Sequence, residues 1–208
     1  MKKISTFIEA LRLHKSTDVV TNPYRDTLVA NNLRLYLEQM VYMKGRHVLL
    51  VGEAPGYRGC RITGIPFTSG RVFERISHPL LNTLENQLEF SEILAEPTAT
   101  IVWEYLARKG STPVFWNAFP FHPHAPGNTA SNRSPTAAEV EIGAHYLRVV
   151  GAIFEPEIIA GIGRKGQQCA SMVFPGKDII YIAHPSHGGK RAFIAGMNGV
   201  FSPGYCAL

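Results

Sequence analysis

Apolar residues recur at helical spacing through residues 26–43 (DTLVANNLRLYLEQMVYM), and the pattern stops at Gly45, just before the apolar run HVLLV at 47–51. This spacing predicts a helix closed by a glycine and followed by a short buried strand. The unit repeats: a helix expected near 98–109 leads into TPVFWNA at 112–118, one near 135–154 into EIIAG at 157–161, and one near 164–173 into DIIYIA at 178–183. Ahead of them, the apolar residues of MKKISTFIEALRLHKS are interrupted by Glu9, Arg12 and His14, so this segment reads as an amphipathic helix and not as a signal-peptide core. No stretch approaches the roughly 18 unbroken apolar residues of a membrane span. The expectation is a cytoplasmic protein with no membrane partner.

Four short apolar strands, each preceded by a helix, predict an α/β fold with a central four-stranded parallel sheet flanked by helices on both faces. With 208 residues and 45% apolar content, the chain can build one sizeable core. The expected organisation is a single domain over 1–208, with a helical N-terminal part (1–45) and a core (46–191) that carries the chemistry. In such sheets ligands bind beyond the carboxyl ends of the strands. That rule directs attention to four segments: GEAPGYRGCRITGIPFTSG, FPFHPHAPGNTASNRSP, GIGRKG and HPSHGGKR.

Charge narrows the partner only slightly. Lys and Arg number 21 against 16 Asp and Glu, and the net charge of +5 favours a polyanion but also describes many ordinary proteins. Cys60, Cys169 and Cys206 are scattered, form no CxxC clip, and cannot supply the four thiolates of an iron–sulfur cluster. They read as small residues in a reducing compartment, and no cofactor, metal or metal cluster is expected.

Three positions carry candidate chemistry. The loop after the first strand is rich in glycine and sets Phe67 between Pro66 and a polar turn, where an aromatic face could stack on a planar base; an ordinary long connecting loop is the alternative. Asn117 ends the second strand. Its amide can accept from N3–H of uracil while donating to O4, a pattern that refuses cytosine, although a strand-end Asn can equally cap its own turn. After the fourth strand, His184 could donate to a carbonyl oxygen that gains charge as a glycosidic bond breaks, while Ser186, Lys190, Arg191 and the loop amides suit phosphates. The alternative for His184-Pro185-Ser186-His187 is half of a metal site completed by His122 and His124, for which no carboxylate is evident.

Taken in order, GEAPG after the first strand, Thr63-Gly64-Ile65-Pro66-Phe67, an Asn at the second strand's end, Asn132-Arg133-Ser134-Pro135-Thr136 and a terminal HPS resemble the uracil-DNA glycosylase superfamily over about residues 46–191. GEAPG and NRSPT with Glu139 are similar to its thermostable bacterial and archaeal branch. Gly59 to Gly64 with Phe67-Thr68 resembles its broad-specificity branch. The resemblance implies a monofunctional DNA-repair glycosylase that flips a damaged base out of the stack and cuts its bond to the sugar, acting as a monomer. It further implies that Phe67 stacks on the base, with Gly52, Ala54 and Pro55 beside it, that Asn117 reads the base edge, and that His184 stabilises the departing anion through O2. Ser186, Gly188, Gly189, Lys190 and Arg191 would meet phosphates.

The departures matter too. Ala54 stands where the best-known branch has a water-positioning Asp, and Gly70 stands where the broad-specificity branch has another. Glu53 is the nearest remaining carboxylate, and it could orient water or merely brace its loop. Uracil is the expected substrate, with hypoxanthine, xanthine and oxidised pyrimidines left open. The rival reading is a catalytically silent protein that senses lesions or single strands with the same pocket. Gly161 to Gly166 also satisfies GxGxxG, but no acidic residue ends the next strand, so a tight turn opening a helix is the simpler reading. A serine or cysteine hydrolase lacks its GxSxG elbow or a Cys–His pairing.

Overall fold

The computed structural model describes residues 2–186 and 188–201; His187 and Cys206, both considered above, lie outside them. In chain order the elements are α1 (Lys2–Leu13), β1 (Val20–Thr21), a 3-10 turn (Pro23–Arg25), α2 (Thr27–Met40), β2 (Val48–Gly52) and α3 (Cys60–Thr63). They continue with α4 (Gly70–Arg75), α5 (Pro79–Leu84), α6 (Pro97–Leu106), β3 (Val114–Asn117), β4 (His122–Pro123) and α7 (Ala137–Phe154). The last are β5 (Ile158–Ile162), α8 (Gly163–Val173), β6 (Ile179–Ile182) and α9 (Lys190–Val200).

Local chemistry explains the helix boundaries. Ile4, Phe7, Ile8 and Leu11 put one buried stripe on α1. Asp26 caps α2 by accepting from the Leu28 amide at 2.8 Å. Glu96 caps α6 through the amides of Thr98 and Ala99, with Pro97 in the first turn. Thr136 and Glu139 form a reciprocal capping box on α7, a device worth about 1 kcal/mol. The short α3, α4 and α5 were not expected, because runs of four to six residues are too brief to show a helical period. Also not expected were α9 and the antiparallel pair β1–β4, which draws two residues out of the long loop at 119–135.

The four main strands form one parallel sheet, as the repeating helix–strand pattern predicts, and their order is β3-β2-β5-β6. Alternation sends successive side chains of β3 to opposite faces. Phe115 meets Trp103 of α6 on one face, and Trp116 meets Phe7 of α1 on the other. α7 and α8 join α1 on the Trp116 side, whereas Phe193 of α9 packs on Tyr105 of α6. Every residue of β2 and β3 is buried, which is why both read as continuous apolar runs. Among the described residues, no helix is long and apolar enough to cross a membrane.

Parallel register brings the carboxyl ends of the strands to one edge. Gly52 pairs with Asn117, and Ile162 with Ile182. Two further hydrogen bonds, Ala118 N to Gly52 O at 2.8 Å and Phe119 N to Glu53 O at 3.0 Å, carry the β2–β3 pairing past the sheet and hold the start of both loops together.

Candidate functional site

Beyond this edge lies a cavity of about 450 Å3. Its floor is built around Gly52. A Cβ added there would stand 2.4 Å from Phe67 Cζ and 2.8 Å from Asn117 Oδ1, so only glycine lets the ring and the amide approach the end of β2 together. Phe67 holds its place with a left-handed backbone (φ 57°), uncommon for a residue with a side chain. Its carbonyl accepts from Trp103 Nε1 at 2.9 Å, and its ring packs on Phe115. Asn117 is 4% exposed, and its Nδ2 donates to Cys60 Sγ at 3.9 Å.

The wall facing Phe67 is a braced pair of loops. Ser134 Oγ donates to Glu53 Oε1, and Asn132 Oδ1 accepts from the Tyr57 amide at 3.0 Å. Arg133 forms a two-pronged pair with Glu139, at 2.6 and 2.7 Å, while donating to the carbonyls of His124 and Val19. That pairing raises the Arg133 pKa and holds the Glu139 carboxyl below its ordinary value. The segment Asn132 to Glu139 is thus a brace in which nearly every polar side chain ties one loop to another.

His122 belongs to the same framework. Its ring nitrogens face the carbonyls of Pro55 at 2.8 Å and Thr129 at 3.2 Å. Burial lowers its pKa in spite of those acceptors. His124 meets Thr21 Oγ1 and the Ala125 carbonyl. Both rings are committed to protein groups, and among the described residues no cluster of three or more His, Cys, Asp or Glu is arranged to hold a metal ion.

His184 enters from the loop after β6. The Ser186 amide donates to its Nδ1 at 3.2 Å, and Ser186 Oγ lies 2.7 Å from the same atom. An amide can only donate, so Nδ1 is the acceptor and the ring proton resides on Nε2. The site therefore contains a neutral imidazole with an N–H donor on its far side. Gly188, Lys190 and Arg191 follow but do not line the cavity; Lys190, at the start of α9, pairs with Glu104 at 2.9 Å on the surface. The GxGxxG run opens α8 at Gly163, and a Cβ at Gly166 would stand 2.0 Å from the Val51 carbonyl. Close helix–strand packing accounts for that glycine without a nucleotide.

Of the residues singled out in the sequence, Glu53, Ala54, Pro55, Phe67, Asn117, His184 and Ser186 line one cavity, and Gly52 does not line it but packs against the Phe67 ring and the Asn117 amide that do. Cys60, Glu96, Thr98, Asn132 and Ser134 line it as well and were missed as site residues. The Glu96 carboxylate is occupied in capping α6. Burial pushes the Cys60 thiol up to about 12, so it stays protonated, and its side-chain partner is Asn117 rather than a histidine. A nucleophilic cysteine is not what this arrangement provides.

A slot with an aromatic wall, a planar amide at its base and an imidazole N–H donor can hold a flat heterocycle by stacking and by edge hydrogen bonds. The family model for the uracil DNA glycosylase superfamily matches residues 40–193. Among solved structures, the chain is similar to wild-type SMUG2 of Pedobacter heparinus, at 16% identity and a TM-score of 0.67, with 96% of each chain covered. At that identity the likeness bears on the fold alone. No curated protein matches the sequence.

Proposed function

The chain belongs to the uracil DNA glycosylase superfamily, and from that premise we propose that it hydrolyses the N-glycosidic bond of uracil, or of a related deaminated base, flipped out of DNA, and leaves an abasic site. The observation that carries this reading is the convergence of Phe67, Asn117 and His184 on one cavity. Extrusion is needed because the base edge and the anomeric carbon cannot both be engaged inside a stacked duplex. Phe67 stacks on the extruded ring, with Gly52, Ala54 and Pro55 shaping the space beside it. Asn117 accepts from N3–H through Oδ1 and donates to O4 through Nδ2.

As the bond to the sugar lengthens, electrons collect on the base, chiefly at O2. His184, neutral and protonated on Nε2, donates there and stabilises the departing anion. The sugar is left with oxocarbenium character, and water adds to the anomeric carbon. With Ala54 in the loop, no aspartate activates that water, and the rate depends on donors already in place around the base. Glu53 serves mainly to hold its loop through Ser134. Ser186, the Gly188 amide, Lys190 and Arg191 form the phosphate-binding rim, Lys190 exchanging its exposed pairing with Glu104, which is worth little in water.

The test is direct. Purified protein is incubated with labelled oligonucleotides that carry one uracil, hypoxanthine or xanthine, single- and double-stranded, and then treated with alkali. Strand breaks at the lesion are the expected result, strongest for uracil. Ala54 also favours a second reading, a lesion-binding protein without catalysis; that protein would shift the mobility of the same DNA and leave it alkali-stable.

A further inference from the structure

The loop that follows β2 carries chemistry that the base slot does not use. Gly56 lines the cavity, whereas Tyr57 and Arg58, next in the chain, and Arg61 in α3 lie outside its lining. The backbone of Tyr57 is held on both sides. Its amide donates to Oδ1 of Asn132, itself a cavity residue, at 3.0 Å, and its carbonyl accepts from Arg61 Nε at 3.2 Å. A residue anchored in this way presents its ring from a fixed point, so a partner pays little to order it.

Among the described residues the Tyr57 ring packs on no other aromatic ring; the Arg58 guanidinium stands over one face, 5.2 Å from the centroid. Arg58 is exposed, so that face opens when Arg58 swings away. Neither Arg58 nor Arg61 forms a salt bridge among the described residues, in contrast to Arg133 on the same wall, which is paired with Glu139. Arg61 commits only Nε to Tyr57, and its outer nitrogens meet no protein acceptor among the described residues. Two uncompensated cations beside an anchored aromatic ring suit a nucleotide, with its base on the ring and its phosphate on the guanidinium groups.

We propose that Tyr57, Arg58 and Arg61 form a second nucleotide subsite, which takes the nucleotide adjoining the flipped one on the same strand. Its base stacks on Tyr57, and the phosphate that joins the two nucleotides lies against Arg58 and Arg61. The proposal rests on the reading of the cavity as the slot for a flipped base. Tyr57 is one residue beyond Gly56, about 3.8 Å along the backbone, so a strand that delivers a base to the slot brings its neighbouring nucleotide within reach of the ring. Stacking of a base on an aromatic ring outweighs an exposed cation–π contact, and Arg58 gains a charge-assisted bond to phosphate when it leaves the ring. The exchange therefore favours the bound strand.

Binding is measured with single-stranded oligonucleotides that carry one 2′-fluoro-2′-deoxyuridine, whose glycosidic bond resists cleavage, and whose neighbours hold either normal bases or tetrahydrofuran abasic residues. Tyr57→Ala is expected to weaken binding roughly five- to 100-fold when the neighbours hold bases, and less than about twofold when they are abasic. Tyr57→Phe keeps the ring and binds like wild type. Arg58→Gln and Arg61→Gln are each expected to lower the slope of log affinity against log salt by about 0.7, one phosphate contact on a single strand. The glutamine at 61 can still donate to the Tyr57 carbonyl. In the wild-type protein, 5-iodo-2′-deoxycytidine beside the uridine analogue should photocrosslink to Tyr57 from one side of it and not from the other. A Tyr57→Ala loss that is equal for base-bearing and abasic neighbours, no loss at all, an unchanged salt slope in either arginine variant, or crosslinks that map away from Tyr57 from both sides overturns the subsite. None of these readouts requires turnover. A protein that meets them and never cleaves uracil-DNA defeats the glycosylase reading and leaves the subsite standing, whereas one that cleaves uracil-DNA but binds its neighbours without regard to Tyr57 does the reverse.

Discussion

Ser134, on the loop leading to α7, donates a hydrogen bond to Glu53, on the loop that follows β2, so a carboxylate that lines the cavity is tied to the neighbouring loop. If Glu53 braces the loops, Glu53→Gln keeps an acceptor for Ser134 and Ser134→Ala removes the donor. Each is expected to slow single-turnover excision by about tenfold or less, the scale of one hydrogen bond. A general base would behave differently: Glu53→Gln would then cost about 100-fold or more while Ser134→Ala cost little. Single-turnover rates on uracil-DNA for the two variants separate the roles.

Gly52 sets the depth of the slot. Gly52→Ala forces Phe67 and the Asn117 amide apart, because the new methyl would meet both inside van der Waals contact. Overpacking of this kind costs about 1–3 kcal/mol in stability. Displacing the reading groups by a fraction of an ångström costs more in function, and excision is expected to fall by about 100-fold while the protein stays folded. Thermal unfolding beside the alkali-cleavage assay checks both; a variant with full activity would show that the base lies elsewhere.

His184 is assigned to the transition state and not to binding. His184→Ala should slow the chemical step by about 100- to 1,000-fold and change affinity for uracil-DNA by less than about tenfold. Equal losses in rate and affinity would recast the residue as a support for the Ser186 loop. Single-turnover kinetics make the comparison, with binding of an oligonucleotide that carries 2′-fluoro-2′-deoxyuridine, whose glycosidic bond resists cleavage, as the control.

The strands and the ends that carry Asn117 and His184 were legible because a parallel sheet buried on both faces writes itself as short apolar runs, and the loops beyond those runs follow from topology. The long-range hydrogen bonds that brace the surrounding loops were not. Tyr24 reaches Gly64, Ser134 reaches Glu53, and Asn132 reaches Tyr57 across long separations that leave no local pattern. Cys60 read as a small residue of a reducing compartment, and Glu96 stood in no motif, until the fold set both at one cavity. The NRSPT segment was legible as a motif but not as a brace, since its effect lies in cross-loop hydrogen bonds and not in any residue's own chemistry.

Acid should destabilise the fold before it affects the carboxylates, and His78 gives the reason. The Leu80 amide donates to His78 Nδ1 at 3.2 Å, capping α5, so that atom must keep its lone pair while Nε2–H faces Thr112 Oγ1 at 3.3 Å. A second proton could reside only on Nδ1, where it would confront the amide and break the cap. Burial lowers the His78 pKa from 6.5, and it lowers those of His14 and His122 in the same direction. The unfolded chain therefore binds protons first as pH falls, and stability, intact above 6.5, declines from there down through the folded-state values. Each histidine can contribute a slope of up to about 1.4 kcal/mol per pH unit in that window. His78→Asn retains a side-chain oxygen to cap Leu80 and removes the titration, so denaturant unfolding across this range should show a shallower decline than wild type, with His14 and His122 supplying the remainder. Identical slopes for the two proteins would mean that the His78 ring is protonated as readily inside the fold as outside it.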